Sequence, residues 1–134
     1  MKIIDNELLD SVTKEAQESP RLRMNYNFHD NLDAKSQRLL NAMEPETVFP
    51  IHRHKHTSET YIILRGLLRV MSYNDNKELI NTVVLNPLEK IYGVQIPANH
   101  WHNIEVLESG TVIFETKDGP YAPLESDDIM VIDK

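Results

Sequence analysis

The sequence predicts an all-β fold, an antiparallel sandwich or barrel, preceded by a short N-terminal helix. From residue 36 onward, short segments rich in β-branched and aromatic residues recur at regular intervals. Turn-forming residues separate them, as at Asn74-Asp75-Asn76 and Ser109-Gly110. Many short strands at such spacing are typical of sandwiches and barrels. The eight predicted strands span residues 37–43, 48–54, 59–64, 67–73, 78–85, 91–96, 101–107 and 111–117.

Length and composition point to one domain without cysteine chemistry. The chain of 134 residues is long enough for one hydrophobic core and too short for two. Its formal net charge of −7 argues against nucleic acid or an anionic membrane as partner, because both require concentrated basic surface. No segment resembles a signal peptide or a membrane span, so we expect a cytoplasmic protein. The lack of cysteine leaves histidine and carboxylate as the metal ligands.

The N-terminal region is predicted to be a helix followed by an extended arm, together residues 1–35. Residues 6–17 have helical periodicity, with Asp5 or Asn6 as the cap and Ser19-Pro20 as the stop. Residues 21–32 are polar, and alternate side chains would share one side of an extended segment. Without further argument this run predicts an edge strand with a solvated face. The barrel domain is expected over residues 36–124 and a C-terminal tail over residues 125–134.

Five of the six histidines fall in two short islands. The first island contains His52, His54 and His56 and is followed by Glu59, whereas the second contains His100 and His102. Side chains two apart on a strand point to the same face, so His52 and His54 can converge on one point. Imidazole nitrogen and carboxylate oxygen together suit one divalent transition metal, such as Zn, Fe, Mn or Ni.

The spacing of these residues resembles the two motifs of the cupin superfamily. His52, His54, Glu59 and Gly66 stand at the spacings of the first motif, and Pro97 and His102 match the second. The resemblance implies a double-stranded β-helix, also called a jelly-roll barrel, and implies that the metal ligands are His52, His54, Glu59 and His102. Such a set leaves coordination positions open for water or substrate. The chain departs from the motifs at four turn or framework positions, which are Glu46, Ile91, Asn99 and Val106. Asn99 replaces a motif glycine and can still adopt the left-handed conformation that the glycine would supply.

Two histidines and one tryptophan beside the motif residues need separate interpretation. His56 continues the alternation after His54, but the turn before Glu59 breaks the register, which favours solvent or a position behind the ligands. His100 lies two residues before His102. The sequence leaves two roles open for it, that of a fifth metal ligand and that of a contact to substrate. Trp101 between them should face the core.

A longer stretch of the chain is similar to the WbuC family of cupin-fold metalloproteins. The similarity is carried by RLRMNYNFHDNLDAKSQRLLNAMEPETVFPIHRHKHTSETYIILRG, YGVQIPANHWHNI and GTVIFETKDGPY, and it spans roughly residues 6–124. Members are bacterial and are often associated with O-antigen and other surface polysaccharide clusters. The resemblance therefore implies a role near bacterial surface polysaccharide metabolism.

Family-like residues outside the metal motif form a polar set suited to a sugar or a small acid. Arginine forks bind carboxylate or phosphate, and amides and imidazole read hydroxyl patterns. The alternative is that the polar arm only covers a sheet edge. The predicted substrate-binding residues are Arg23, Asn25, Asn27, Arg38 and Lys117.

Three functional hypotheses follow from the open metal site. The first is an isomerase or epimerase of a carbohydrate or sugar nucleotide, with His100, His29 or Tyr61 moving the proton. The second is an iron-dependent dioxygenase, and the third is a non-catalytic metal-dependent module that binds a sugar or a small acid. An exposed sheet edge beside an extended arm also favours a homodimer.

Overall fold

The computed structural model describes residues 1–132 and consists mainly of two antiparallel sheets with one α-helix. The predicted fold class is therefore confirmed. Its regular elements are α1 (Asn6–Glu18), β1 (Arg23–Asn27), β2 (Ser36–Met43), β3 (Ile51–His52), β4 (Glu59–Arg65), β5 (Leu68–Tyr73), β6 (Leu79–Leu85), β7 (Gly93–Ile96), β8 (Trp101–Val106), β9 (Thr111–Asp118) and β10 (Ile129–Met130). No helix among the described residues is both long and apolar enough to cross a membrane.

Each sheet has five strands, and the main core lies between the two sheets. The first sheet has the order β1-β2-β9-β4-β7, and the second has the order β10-β3-β8-β5-β6. Alternate side chains of each strand point inward, as the period of two requires. Those that form the core include Met43, Ile63, Leu68, Leu85 and Ile113, all buried. The histidine islands border this core, because Tyr61 of the core donates a hydrogen bond to Glu59.

Helix α1 covers part of the outer face of the first sheet. Asp5 caps the helix, because its side chain accepts a hydrogen bond from the Leu8 N–H. Leu9, Val12 and Ala16 are buried against the outward side chains of β2 and β9. Full burial of an aliphatic side chain contributes roughly 1.5–3 kcal/mol, so this contact is substantial. The helix is one residue longer than the predicted range of 6–17.

The polar N-terminal run forms an edge strand of the first sheet. Strand β1 pairs antiparallel with β2, with Arg23 opposite Met43 and Asn27 opposite Leu39. Asn25 and Asn27 are exposed, as expected for a solvated face of an edge strand. The predicted arm is therefore part of the sheet.

The strand predicted at residues 48–54 is much shorter in the structure, and a C-terminal strand was not predicted. Only Ile51 and His52 form β3. After them, the Arg53 N–H donates to the Asp128 carbonyl, and the His54 carbonyl accepts from the Asn99 N–H, so the backbone leaves the pairing with β8. Strand β10, within the predicted tail, pairs with β3. Residues 133–134 of that tail lie outside the described residues.

Left-handed backbone appears at two of the positions where the chain departs from the cupin motifs. Asn99 has a φ of +63°, which confirms that asparagine takes the conformation that glycine would supply there, and Glu46 has a φ of +78°. Gly66 has a φ of +92°, as predicted for a hairpin turn. A Cβ at Gly66 would lie 2.6 Å from the Thr111 Cα, so only glycine fits that turn.

Candidate metal centre

The two histidine islands meet where β3 and β8 of the second sheet face the start of β4 in the first sheet. His52 on β3 and His102 on β8 are directly opposite each other, and their ring centroids are 4.3 Å apart. Glu59, the first residue of β4, reaches the same point from the other sheet. One ligand atom from each of His52, His54, Glu59 and His102 lies within 4.8 Å of all the others. These four residues are called the histidine–glutamate cluster below.

Backbone carbonyls fix the protonation of two imidazole rings in the cluster. The Nδ1 of His52 lies 2.9 Å from the Pro50 carbonyl oxygen, and the Nδ1 of His102 lies 2.8 Å from the His100 carbonyl oxygen. A carbonyl oxygen only accepts, so each Nδ1 carries the proton and donates it. In the neutral form of either ring, the Nε2 atom therefore keeps its lone pair. Metal-binding histidines are commonly oriented in this way.

The carboxylate of Glu59 lies between two imidazole nitrogens. Its Oε1 is 3.0 Å from His54 Nε2, and its Oε2 is 3.1 Å from His102 Nε2. A neutral His102 would present a lone pair to this carboxylate, so a proton or a metal cation must lie between the two groups. Ligands about 2.1 Å from an ion and at right angles lie about 3.0 Å apart. The donor set and its spacing thus fit a divalent transition metal.

Burial shifts the pKa values of the cluster toward metal-binding forms. Glu59 is 3% exposed, and burial alone would raise its pKa, but hydrogen bonds with His102 and His54 outweigh burial and lower it. Burial, followed by repulsion from His102, lowers the pKa of His52 to about 4. At neutral pH the site therefore offers an ionised carboxylate and a neutral His52 imidazole, the forms that a metal binds.

Tyr61 and Lys117 contact the cluster through Glu59. The Tyr61 hydroxyl donates a hydrogen bond of 2.9 Å to Glu59 Oε2. Burial, and then the charges of Glu59 and Glu115, raise the pKa of Tyr61 well above its usual value, so it remains a donor. Lys117 is opposite Glu59 in the β4–β9 pairing, and its Nζ lies 3.8 Å from Glu59 Oε1. Tyr61 thus holds one carboxylate oxygen, and Lys117 faces the other.

Glu115, a carboxyl that lies beside Tyr61, was not predicted as a site residue from the sequence. Glu115 is opposite Tyr61 on β9, and its Oε1 accepts a hydrogen bond of 3.2 Å from Asn41. Burial, and then the nearby Glu59 charge, raise the pKa of Glu115 to about 7. The available signal was its alternation with Lys117 on β9, which places both side chains on the inner face.

Two cavities border the cluster on different sides. The larger, of about 430 Å³, is lined by His54, Lys117 and the loop residues 118–120 and 122–125, among others. The smaller, of about 240 Å³, lies between the sheets and is lined by His102, His100, Ser72 and Asn81 among others. Ligand cavities commonly measure about 300–1,000 Å³, so only the larger of these two reaches that range.

The other residues of the islands lie outside the cluster. His100 is half-buried and shares the smaller cavity with His102, whereas His56 is exposed and lines the larger cavity. Trp101 is buried, as expected, and its Nε1 donates to Asp75. The roles predicted for His100 and His56 stay predictions.

The predicted binding residues of the N-terminal arm are not brought into the cluster. Arg23 donates to the Val48 carbonyl oxygen and stacks on Phe49, a contact that holds the arm to the segment before β3. Arg38 is exposed and follows the inward-facing Gln37, which places it on the outer face of β2. The Nδ1 of buried His29 accepts from the Arg38 N–H, and its Nε2 has no hydrogen-bond partner within residues 1–132. Their predicted roles, like those of the exposed Asn25 and Asn27, stay predictions.

Comparison with solved structures shows the same fold in proteins of low sequence identity. The chain is similar to the cupin domain of Schizosaccharomyces pombe Cnp3, with a TM-score of 0.56, 14% identity, and coverage of 72% of this chain and 64% of that one. KdgF from Halomonas sp. gives a TM-score of 0.59 and 13% identity, over 78% of this chain and 84% of KdgF. The capsular polysaccharide assembling protein CapF from Staphylococcus aureus gives a TM-score of 0.58 and 18% identity, over 75% of this chain and 30% of CapF. These likenesses establish the cupin fold.

Sequence comparisons identify the family. No curated protein sequence matches the chain significantly. One family model matches residues 4–85, which include helix α1, three of the four cluster residues and strands β1 to β6. The chain therefore belongs to the family described as domain of unknown function DUF6016.

Proposed function

We propose that this cupin is a metal-dependent enzyme that isomerises or epimerises a carbohydrate or a sugar nucleotide. The observation that carries the proposal is the histidine–glutamate cluster, in which Glu59 lies 3.0 and 3.1 Å from two imidazole nitrogens. These two distances match neighbouring ligands of one ion, and cavities border the cluster on two sides.

His52, His54, Glu59 and His102 would hold the metal. A bound divalent ion supplies Lewis acidity, which makes a C–H next to a coordinated carbonyl or hydroxyl easier to deprotonate. The chain's part is to keep neutral imidazoles and an ionised carboxylate in place. The carbonyl oxygens of Pro50 and His100 do so for two of the rings, and the Tyr61 hydroxyl does so for Glu59.

Two of the three residues proposed to move the proton contact the cluster or border a cavity beside it. His100 lines the smaller cavity together with His102, so its ring has access to a substrate there. Tyr61 contacts Glu59 directly. His29 lies at the end of β1, with its Nδ1 bonded to the backbone of β2, and is the weakest of the three. General acid–base catalysis of this kind commonly contributes about 10²–10⁴-fold in rate.

Two lines of argument support a carbohydrate substrate. CapF, which shares the fold, is named as a capsular polysaccharide assembling protein. The sequence resembles the WbuC family, whose members are associated with surface polysaccharide clusters. We further propose that this protein acts in bacterial surface polysaccharide metabolism, in the cytoplasm and as a homodimer, with Arg23, Asn25, Asn27, Arg38 and Lys117 as substrate contacts.

The test is a turnover screen of protein loaded in turn with Zn²⁺, Mn²⁺, Fe²⁺ and Ni²⁺. Sugar phosphates and sugar nucleotides are incubated in D₂O, and NMR follows deuterium incorporation and the formation of epimers. We expect exchange with at least one substrate class, and its loss in His102→Ala. Exchange that persists in His102→Ala, or a panel without exchange for every metal, would contradict the proposal.

A further inference from the structure

The larger cavity beside His54 contains a lysine whose carboxylate partner, Glu59, also faces two imidazoles and the proposed metal position. Lys117 lines this cavity, and its side chain is 15% exposed. Within residues 1–132 its Nζ has no hydrogen-bond partner, and its charged neighbour is Glu59 Oε1 at 3.8 Å. An ammonium group that is mostly removed from water and lacks a hydrogen bond requires an anion nearby.

The other basic residues of the cavity are already compensated. Lys55 Nζ lies 2.7 Å from Asp127 Oδ2 and 3.2 Å from Asp128 Oδ1. Arg53 donates to the Asp127 carbonyl, stacks on Trp101 and lies 3.7 Å from Asp128. Among the lysines and the arginine that line this cavity within residues 1–132, Lys117 is therefore the one whose side chain makes no hydrogen bond and remains available to a ligand.

Metal binding would make the local charge more positive. A divalent ion together with the Glu59 carboxylate and the Lys117 ammonium leaves two net positive charges. Buried Glu115, when ionised, removes one of them, and the total stays positive. Asp118, the other charged group beside Lys117, is exposed and lies where water screens its charge.

We infer that the larger cavity binds the carboxylate or phosphate of an anionic substrate, with Lys117 as the residue that selects for this charge. The inference rests on the proposed function and narrows its substrate class from carbohydrates in general to sugar acids or sugar phosphates. Volume favours this choice of cavity, since about 430 Å³ lies within the range of about 300–1,000 Å³ that is common for ligand cavities and about 240 Å³ lies below it.

The test uses the cobalt(II)-loaded protein with two probes that differ in charge, glycolate and ethylene glycol. Binding is followed by the visible absorption of cobalt and by calorimetry. We expect glycolate to bind at least about tenfold more tightly than ethylene glycol, and Lys117→Gln to weaken glycolate about tenfold, the loss of one charge-assisted hydrogen bond. Lys117→Arg should retain glycolate binding, and exposed Lys14→Gln should not change it. Glycolate affinity equal in the parent and Lys117→Gln would overturn the inference.

A pair of tryptophan substitutions tests which cavity is used. Ala122 is exposed and lines the larger cavity, and Gln95 is exposed and lines the smaller one. Ala122→Trp should block glycolate, whereas Gln95→Trp should leave it bound, and the reverse result would overturn the inference. Thermal unfolding of each variant confirms that it is folded.

The first step of the experiment separates this inference from the proposed function. Cobalt spectra of the parent and of His102→Ala show whether the histidine–glutamate cluster holds a metal. Identical spectra would overturn both proposals. A cobalt site that depends on His102, combined with an unchanged Lys117→Gln, would overturn only the choice of an anionic substrate.

Discussion

Within residues 1–132, two groups of side chains bring possible metal-ligand atoms within 4.8 Å of one another, and the two groups differ in how their charge is balanced. One is the histidine–glutamate cluster. The other is formed by Glu125, Asp127 and Asp128 and is called the acidic cluster here. Lys55 supplies the cation of the acidic cluster, with its Nζ 2.7 Å from Asp127 Oδ2. The hydrogen bond with Asp127 raises the pKa of Lys55, so this cation is permanent.

In the part of the chain that the structure describes, no lysine or arginine contacts the imidazoles of the histidine–glutamate cluster in the way that Lys55 contacts the acidic cluster. Burial lowers the pKa of His52 to about 4, so that ring is neutral at physiological pH. Lys117 approaches only Glu59, beyond hydrogen-bond distance. The comparison teaches that close ligand atoms are insufficient to indicate a metal site. Imidazole nitrogens around one buried carboxylate can take up an external cation, whereas acidic groups already paired with a lysine do not need one.

The largest expected effect is the loss of a charged ligand. Glu59→Gln keeps the shape of the side chain and removes its charge, so we expect the affinity for Zn²⁺ to fall by more than about 100-fold in calorimetric titrations. Asp127→Asn makes the matching change in the acidic cluster and should leave that affinity unchanged. A similar fall in both variants would remove the distinction between the two clusters.

The pH dependence of folding sharpens the comparison for the metal-free protein. His52 has a pKa of about 4 when folded and an ordinary pKa of about 6.5 when unfolded, so the unfolded chain binds more protons between these values. The contribution of His52 to the free energy of unfolding is fully present above pH 6.5. It is lost as the pH falls toward 4, and the total loss is about 3 kcal/mol.

Urea unfolding at pH 7 and pH 4.5, with a chelator present, measures this contribution. His52→Gln lacks the titrating ring, so its free energy of unfolding should fall less between the two pH values than that of the parent. An equal fall in the two proteins would mean that His52 is not held neutral by burial.

A smaller effect is expected from the hydroxyl that holds Glu59. Tyr61→Phe removes the 2.9 Å hydrogen bond to Oε2 and keeps the ring in the core. Removal of a group that orients a metal ligand commonly lowers the affinity for the metal about 10–100-fold, and we expect a fall in Zn²⁺ affinity of about tenfold here. Tyr73→Phe is the control, since its hydroxyl faces only Met71 Sδ at 3.9 Å. Zinc affinity that is unchanged in Tyr61→Phe would show that the hydroxyl does not orient the ligand.

The smallest effect tests the acidic cluster itself. Lys55→Met removes its cation and should create weak Ca²⁺ binding, in the range of about 10⁻³ M. Lys55→Arg keeps the charge and should bind none in the same calcium titration. Equal binding of Ca²⁺ by the parent would show that Lys55 does not satisfy the acidic residues.

The fold and the four-residue cluster were largely predictable because they depend on regular spacing. The alternation of apolar residues predicted the strands of the two sheets. The separations among His52, His54, Glu59 and His102 matched the cupin motifs, and the structure brings these four residues together. Asn99 was expected to replace a motif glycine, and its φ of +63° shows that it does.

Features that depend on distant partners were not predictable. Strand β10 exists because β3 offers it an edge, and its short sequence contains no strand signal of its own. The raised pKa of Glu115 depends on burial beside Tyr61 and on the charge of Glu59, neither of which a linear sequence displays. The position of Arg38 on the outer face follows from the register of β2 against β9, which sets the direction of each side chain.

The central claim is that the histidine–glutamate cluster holds one divalent metal ion, and metal content measures this most directly. Elemental analysis of protein purified without added metal should find about one transition-metal ion per chain in the parent and little in His52→Ala or His102→Ala. The same metal content in all three proteins, or none in the parent after exposure to Zn²⁺, Fe²⁺, Mn²⁺ and Ni²⁺, would contradict it.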